Sequence, residues 1–138
     1  MDKTLDTIRL MLEGSGITLE IFCVTLALSL PLGLFVALGR LSRFRPLSRI
    51  LEIYIWIMRG TPLMLQLLFV YFALPMVGIL LPDIAAALLA FVLNYAAYFA
   101  EIFRSGIQAV PRGQFEAARA LGMSAPLTMR RIVLPQVL

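Results

Sequence analysis

Three long uncharged, mostly apolar runs constrain this chain more than any other feature. They cover Ile21 to Gly39, Gly60 to Pro82 and Ile84 to Ala100. A helix rises about 1.5 Å per residue, so crossing a hydrocarbon core about 30 Å thick takes roughly 20 such residues. Backbone polar groups in lipid have to be paired within their own segment, which favours helices. The sequence therefore predicts an all-α, polytopic integral membrane helical bundle with three transmembrane helices, at about 18–40, 60–81 and 84–104.

The composition excludes most water-soluble alternatives. Hydrophobic residues make up 61% of the 138 residues and charged residues only 14%, whereas soluble domains average about 25% charged residues. One apolar run alone could be the core helix of a soluble protein, but three runs leave too little polar surface to cover a core. Disorder is excluded as well, because disordered chains combine low hydrophobicity with high net charge.

Several kinds of chemistry lack the residues they need. The chain has no histidine and a single cysteine, Cys23, which excludes an internal disulfide, a histidine acid/base site and a Cys/His zinc site. Paired carboxylates and a nucleophile-base pair are missing as well, so an intramembrane enzyme is disfavoured. The net charge of +4 is too small to argue for nucleic acid. We expect no catalytic residues, no metal and no nucleic-acid partner.

The arginines predict how the helices are oriented. Most of the basic residues follow either the first or the third apolar run, and the positive-inside rule places both segments in the cytoplasm. The acidic N-terminal segment and the turn at Pro82 and Asp83 then lie outside. Between the first two runs, residues 46–58 are typical of a helix at the membrane interface. The two basic groups are Arg40, Arg43, Arg45, Arg49 and Arg59, and Arg104, Arg112, Arg119, Arg130 and Arg131.

Small residues in the first run recur at every fourth position. The stripe comprises Thr25, Ser29, Gly33 and Ala37. Such a stripe lets a second helix approach the backbone closely, so it predicts a tightly packed helix pair. A face that lines a transport pathway is the alternative.

Few polar side chains lie within the other two runs. Asn94 and Tyr98 are four residues apart and share a helix face, and Gln66 lies in the second run. Amides at this depth either join helices by hydrogen bonds or line a pathway for a polar solute, and both alternatives stay open. We take Asn94, Tyr98 and Gln66 as candidate pathway residues. Glu101 and Arg104, three residues apart, favour an ion pair on the helix surface over a proton relay.

The segment after the third run predicts a compact helix-corner-helix unit at about 111–135. Residues 111–121 favour a short helix, and Gly122 is placed to end it in the left-handed conformation. Ser124 is a candidate N-cap for a second short helix, and Pro135 interrupts either that helix or the approach to a further span. Mixed charged and apolar side chains suit docking to a partner protein. The alternative is an amphipathic segment that its arginines hold to anionic lipid.

The spacing within this segment resembles a known pattern. Glu116-Ala117-Ala118, three residues, Gly122, nine residues and then Ile132-Val133-Leu134-Pro135 is similar to the EAA loop of type I bacterial ABC importer permeases. Arg59-Gly60-Thr61-Pro62-Leu63 and the stretch around Glu101 further resemble the histidine/glutamine-type branch, which imports polar amino acids. The resemblance extends from about Gly16 to the last residue.

The resemblance implies a permease subunit without enzymatic activity in the bacterial cytoplasmic (inner) membrane. Two such subunits, identical or different, form the pathway, and an extracytoplasmic solute-binding protein delivers the amino acid. The EAA helix docks on a dimer of cytoplasmic ATPases, which bind the ATP and magnesium, so no cofactor is expected in this chain. Membrane lipid surrounds the subunit. The implied ATPase-coupling positions are Glu116, Ala117, Ala118 and Gly122, with Arg119 beside them.

The length departs from the family pattern, because members have about five spans and continue beyond residue 138. We therefore expect a single transmembrane domain over 1–138 that is a fragment of a longer reading frame, with a truncated product as the alternative. The competing functional hypothesis is a membrane-anchored scaffold whose basic loops bind lipid and which does not transport.

Overall fold

The computed structural model describes the backbone of residues 2–138 and the side chains of residues 3–138. Met1 and the side chain of Asp2, an acid of the predicted outer segment, lie outside the described residues. No strand occurs within residues 2–138, which confirms the all-α prediction. The helices are α1 (Asp2–Arg40), α2 (Arg45–Gly60), α3 (Leu63–Met76), α4 (Asp83–Ala109), α5 (Arg112–Ala120), α6 (Ala125–Thr128) and α7 (Leu134–Val137), with a π-helical turn at Met129–Val133.

Two helices, α1 and α4, are each long and apolar enough to cross a membrane. Helix α1 has 39 residues and begins at Asp2 rather than at about 18 as predicted. Its first turns are not apolar, but they contain no proline, and an ion pair between Arg9 and Glu13 spans one turn at 3.1 Å. Helical hydrogen bonding therefore extends beyond the apolar run, which alone set the predicted boundary.

The predicted second span differs most from the structure. Helix α3 has only 14 residues, and it meets α2 at a bend of 106°, so the chain has three spans only if this bent pair is one. Gly78, with φ of +83°, ends α3. The Ile79 N–H donates to the Leu74 carbonyl and the Gly78 N–H to the Pro75 carbonyl. These two bonds form a Schellman motif, a stop that hydropathy does not register.

Helices α1 and α4 form the central pair of the bundle. All four members of the small-residue stripe in α1 are buried. A Cβ added at Gly33 would lie 2.7 Å from Phe99 Cβ and 3.0 Å from the Ala96 carbonyl oxygen, both in α4. The predicted tight helix pair is confirmed. The facing surface of α4 also contains small residues, namely Ala96, Ala97 and Ala100, all of them fully buried.

Helix α2 packs against the pair of α1 and α4. Ile55 is buried, and the Tyr54 hydroxyl donates to the Leu93 carbonyl in α4 at 2.5 Å. A Cβ at Gly39 would lie 2.5 Å from Leu51 Cδ1, so α1 and α2 are also closely packed at the end of α1. Many large apolar side chains point outward, as lipid-facing side chains do. They include Leu10, Phe35, Met64, Phe69 and Met76.

Candidate functional site

Helix α5 presents the charged side chains of the predicted coupling loop. We call residues 111–124 the corner segment. Glu116, Ala117 and Arg119 are exposed, whereas Ala118 is fully buried within the chain itself. The exposed side chains are thus free to contact a partner, whereas Ala118 packs the helix against its own chain.

Gly122 ends α5 as the sequence predicts. Its φ of +72° is in the left-handed region. The Gly122 N–H donates to the Arg119 carbonyl at 2.9 Å, and the Met123 N–H to the Ala118 carbonyl at 3.0 Å. This is again a Schellman motif. A Cβ at Gly122 would meet nothing within 4 Å, so the requirement for glycine comes from the backbone conformation and not from space.

Replacing Gly122 with alanine is therefore expected to weaken the corner without a steric clash. A left-handed alanine costs about 1–2 kcal/mol, so amide hydrogen exchange at Met123 should speed up about tenfold. Asparagine tolerates this conformation better, and Gly122→Asn should lie between alanine and the wild type. The control is Gly113→Ala within α5, where the added Cβ also has free space and helix propensity improves. Equal exchange at Met123 in all three variants would contradict the expectation.

The second half of the unit holds the corner segment against α4. Val133 is fully buried and packs with Ile107 and Val110. Gln136 Nε2 donates to Gln114 Oε1 at 3.0 Å, which links α7 to α5. Six partly buried side chains pack around this cluster, namely Leu38, Leu41, Phe115, Met129, Leu134 and Val137. The position of α5 is therefore tied to the end of α4.

The start and the interior of this second half differ in detail from the predictions. Ser124 takes the N-cap position, but its side chain makes no capping hydrogen bond, and its carbonyl instead accepts from the Thr128 hydroxyl at 3.0 Å. Pro135 was expected to interrupt the helix, yet helical structure continues through it to Val137. The π turn at Met129–Val133 ends two residues before Pro135, and the wider turn accommodates a residue that cannot donate a backbone hydrogen bond.

A polar cluster forms where α2 bends into α3. Asn94 of α4 is 4% exposed, and its Nδ2 donates to the Met58 carbonyl at 3.1 Å and to Gln66 Oε1 at 2.9 Å. Gln66 Nε2 donates to the same Met58 carbonyl at 3.0 Å and to Thr61 Oγ1 at 2.7 Å. The two amides thus satisfy a carbonyl that the bend leaves without a helical partner. We call Met58, Thr61, Gln66 and Asn94 the amide cluster.

Tyr98 does not join the amide cluster, although it lies one turn from Asn94. No hydrogen bond among the described residues connects them. The Tyr98 ring is 41% exposed, and the Arg59 guanidinium carbon lies 5.5 Å from its centroid. Of the three candidate pathway residues, the structure brings Asn94 and Gln66 together and places Tyr98 in a separate cation–π pair.

Charged side chains form pairs near the same end of the bundle. Glu101 and Arg104 are paired, as the sequence predicts. The ion pair from Arg40 to Glu52, at 2.7 Å, was missed because it joins two helices and no periodicity encodes it. Thr61 was missed too, although a hydroxyl beside a predicted chain break is a signal that could have found it. Among residues 3–138, no group of three or more Asp, Glu, Cys or His side chains is placed to hold a metal ion.

Comparison with known proteins gives consistent matches. Residues 29–138 match the family described as "Binding-protein-dependent transport system inner membrane component". The arginine transport system permease protein ArtQ of Bacillus subtilis (strain 168) is 45% identical over 134 residues, which are 96% of this chain and 61% of ArtQ. The putative glutamine transport system permease protein GlnP of Rickettsia bellii (strain RML369-C) is 40% identical over 132 residues, covering 95% of this chain and 61% of GlnP.

A solved structure has the same arrangement of helices. A crystal structure described as an amino acid ABC transporter with histidines matches with a TM-score of 0.78 and 38% sequence identity, covering 92% of this chain and 63% of its own. The chain thus spans about three fifths of the length of the curated relatives it matches.

Proposed function

The chain belongs to the family of binding-protein-dependent transport system inner membrane components, and from this we propose that it is part of the permease of an ATP-driven importer of polar amino acids. Two of its relatives are described as permease proteins for arginine and for glutamine, both polar amino acids. Helices that can span a membrane and an outer surface rich in large apolar side chains support a membrane location.

The corner segment is, in this proposal, the surface that couples transport to ATP hydrolysis in a partner. The observation that carries it is an exposed, charged helix α5 whose Phe115 packs against the buried cluster of Ile107, Val110 and Val133 at the end of α4. Glu116, Ala117 and Arg119 would contact a dimer of cytoplasmic ATPases, which bind ATP and magnesium. Ala118 and Gly122 would set the angle at which that surface is presented. A displacement of α5 would then pass to α4 through Phe115, which packs against the buried cluster at the end of α4.

The remaining parts of the proposal concern the pathway and its orientation. The N-terminus would lie outside, where a solute-binding protein delivers the amino acid, and the corner segment inside. A second permease subunit would complete the pathway. Asn94, Tyr98 and Gln66 are kept as pathway residues: the two amides join α4 to the bend between α2 and α3, and the partly exposed Tyr98 offers a polar solute a surface.

A charge reversal on α5 tests the coupling surface. We expect Glu116→Lys to release an ATPase that co-purifies with the tagged chain from its native membrane. Glu116 is exposed, and a lysine at this position would replace an attraction or a hydrogen bond to the partner with a repulsion. The retained fraction should fall about tenfold, which corresponds to losing about 1.4 kcal/mol at the interface.

The matched control is Glu13→Lys, an equal charge reversal at an exposed position of α1, which should leave ATPase retention unchanged. Anionic vesicle binding of both variants is measured alongside. If Glu116→Lys retains the ATPase but changes vesicle binding, the scaffold hypothesis with lipid-binding loops replaces the permease proposal.

A further inference from the structure

A charged cavity lies where α1, α2 and α4 approach one another, next to Tyr98 but outside the amide cluster. Its volume is about 450 Å³. The lining combines three arginines, two glutamates and the only tryptophan of the chain. These residues are Arg40, Glu52, Trp56, Arg59, Glu101 and Arg104.

Two of the three arginines are already paired. Arg40 binds Glu52 at 2.7 Å, and Arg104 binds Glu101. Arg59 has no carboxylate within ion-pair distance among residues 3–138. The lining therefore keeps one net positive charge, and that charge is on Arg59. Both carboxylates are neutralised by neighbours, which makes the cavity unsuited to a cation.

Arg59 is also held in place for binding. Its guanidinium carbon lies over the Tyr98 ring, 5.5 Å from the ring centroid, in a cation–π contact. The N–H donors stay available, because Arg59 donates no side-chain hydrogen bond among the described residues. A planar fork of this kind matches two oxygens of a carboxylate or phosphate.

We propose that this cavity is an oxyanion site for a carboxylate or phosphate group, with Arg59 as its main ligand and Arg40 and Arg104 adding positive charge at its wall. The group is either that of a free solute or the headgroup of an anionic lipid. The site goes beyond the proposed import activity and does not depend on it, since it rests on the charges and contacts of the cavity alone.

Trp56 supplies a local reporter for the test. The chain is reconstituted in phosphatidylcholine bilayers, and its tryptophan fluorescence is quenched by iodide, an anion, and separately by neutral acrylamide. We expect Arg59→Gln to lower the iodide quenching constant about threefold, since the local anion concentration falls with the charge, and to leave acrylamide quenching unchanged. In the wild type, inorganic phosphate or acetate at constant ionic strength should protect Trp56 from iodide.

Three further variants separate the site from general effects. Arg43→Gln removes an exposed arginine that does not line the cavity and should quench like the wild type. Tyr98→Leu keeps the charge of Arg59 but removes the stacking ring, so phosphate should protect less well than in Tyr98→Phe, which keeps the ring.

Each outcome decides the proposal. Protection by phosphate or acetate in phosphatidylcholine identifies a free anion as the ligand. Protection only when phosphatidylglycerol replaces part of the phosphatidylcholine identifies a lipid headgroup. Iodide quenching of Arg59→Gln equal to that of the wild type, or protection by none of the three anions, overturns it. The wild-type protection measurement decides the matter even if the Arg59 variant does not fold.

Discussion

Gly33→Leu is expected to force α1 away from α4 and to lower the unfolding free energy of the bundle by about 3 kcal/mol, at the upper end of the usual cost of overpacking. A Cβ alone would lie 2.7 Å from Phe99 Cβ, 3.0 Å from the Ala96 carbonyl oxygen and 3.2 Å from the Ala100 nitrogen. Two of these three atoms belong to the backbone of α4, so a rotamer change cannot make room. Gly33→Ala should give a smaller loss in the same direction.

The control is Gly16→Leu on the same helix, where an added Cβ has no neighbour within 4 Å. Glycine is a poor helix former, so this substitution should be neutral or slightly stabilising. Both free energies are measured by reversible unfolding in detergent micelles. Equal stability of the Gly33 and Gly16 variants would show that α1 and α4 do not pack as described.

Asn94→Asp is the second substitution with a large expected effect. The aspartate has nearly the same shape but replaces the Nδ2 donor by an oxygen, which would then face the Met58 carbonyl and Gln66 Oε1. Both hydrogen bonds become repulsions, and a charge is introduced at a position that is 4% exposed. An aspartate at the centre of a membrane helix costs about 3 kcal/mol, and we expect a destabilisation of that size.

The stability of the Asn94→Asp variant should also depend on pH. A protonated carboxyl can donate one hydrogen bond and carries no charge, so the variant should lose stability relative to the wild type as the pH rises from about 5 to about 8. Gln108→Glu is the matched amide-to-acid control. Gln108 is exposed and accepts a hydrogen bond from Arg104, so an added negative charge there should be neutral or favourable. A pH-independent cost for Asn94→Asp would contradict the burial of this side chain.

Features encoded within a few consecutive residues could be predicted from the sequence. The four-residue stripe containing Gly33 follows from helix geometry alone, and the structure confirms the close pair. Gly122 after a run of helix-forming residues predicted a left-handed stop, which is observed. The pair of Glu101 and Arg104 is likewise a matter of spacing. Each of these depends on local periodicity or on the backbone freedom of one residue.

Features that join distant parts of the chain could not be predicted. Whether an amide such as Asn94 binds a solute or another helix depends on which carbonyl lies opposite. The Met58 carbonyl is available only because the helix breaks at the bend between α2 and α3. The ion pair between Arg40 and Glu52 likewise needs two helices to meet. The length of α3 was overestimated because hydropathy measures apolar content and does not register the backbone stop at Gly78.

The two Schellman motifs also bear on the order in which the chain assembles during synthesis. Each closes with hydrogen bonds inside six consecutive residues, from Leu74 to Ile79 and from Ala118 to Met123. Such contacts cost little loop-closure entropy and form as soon as those residues leave the ribosome. The contact of Gly33 with Phe99 has to wait until all of the intervening chain has been made. The corner that ends α3 is therefore an early event and the central helix pair a later one, so a ribosome that pauses before Phe99 should leave a chain with a formed turn and unpaired helices.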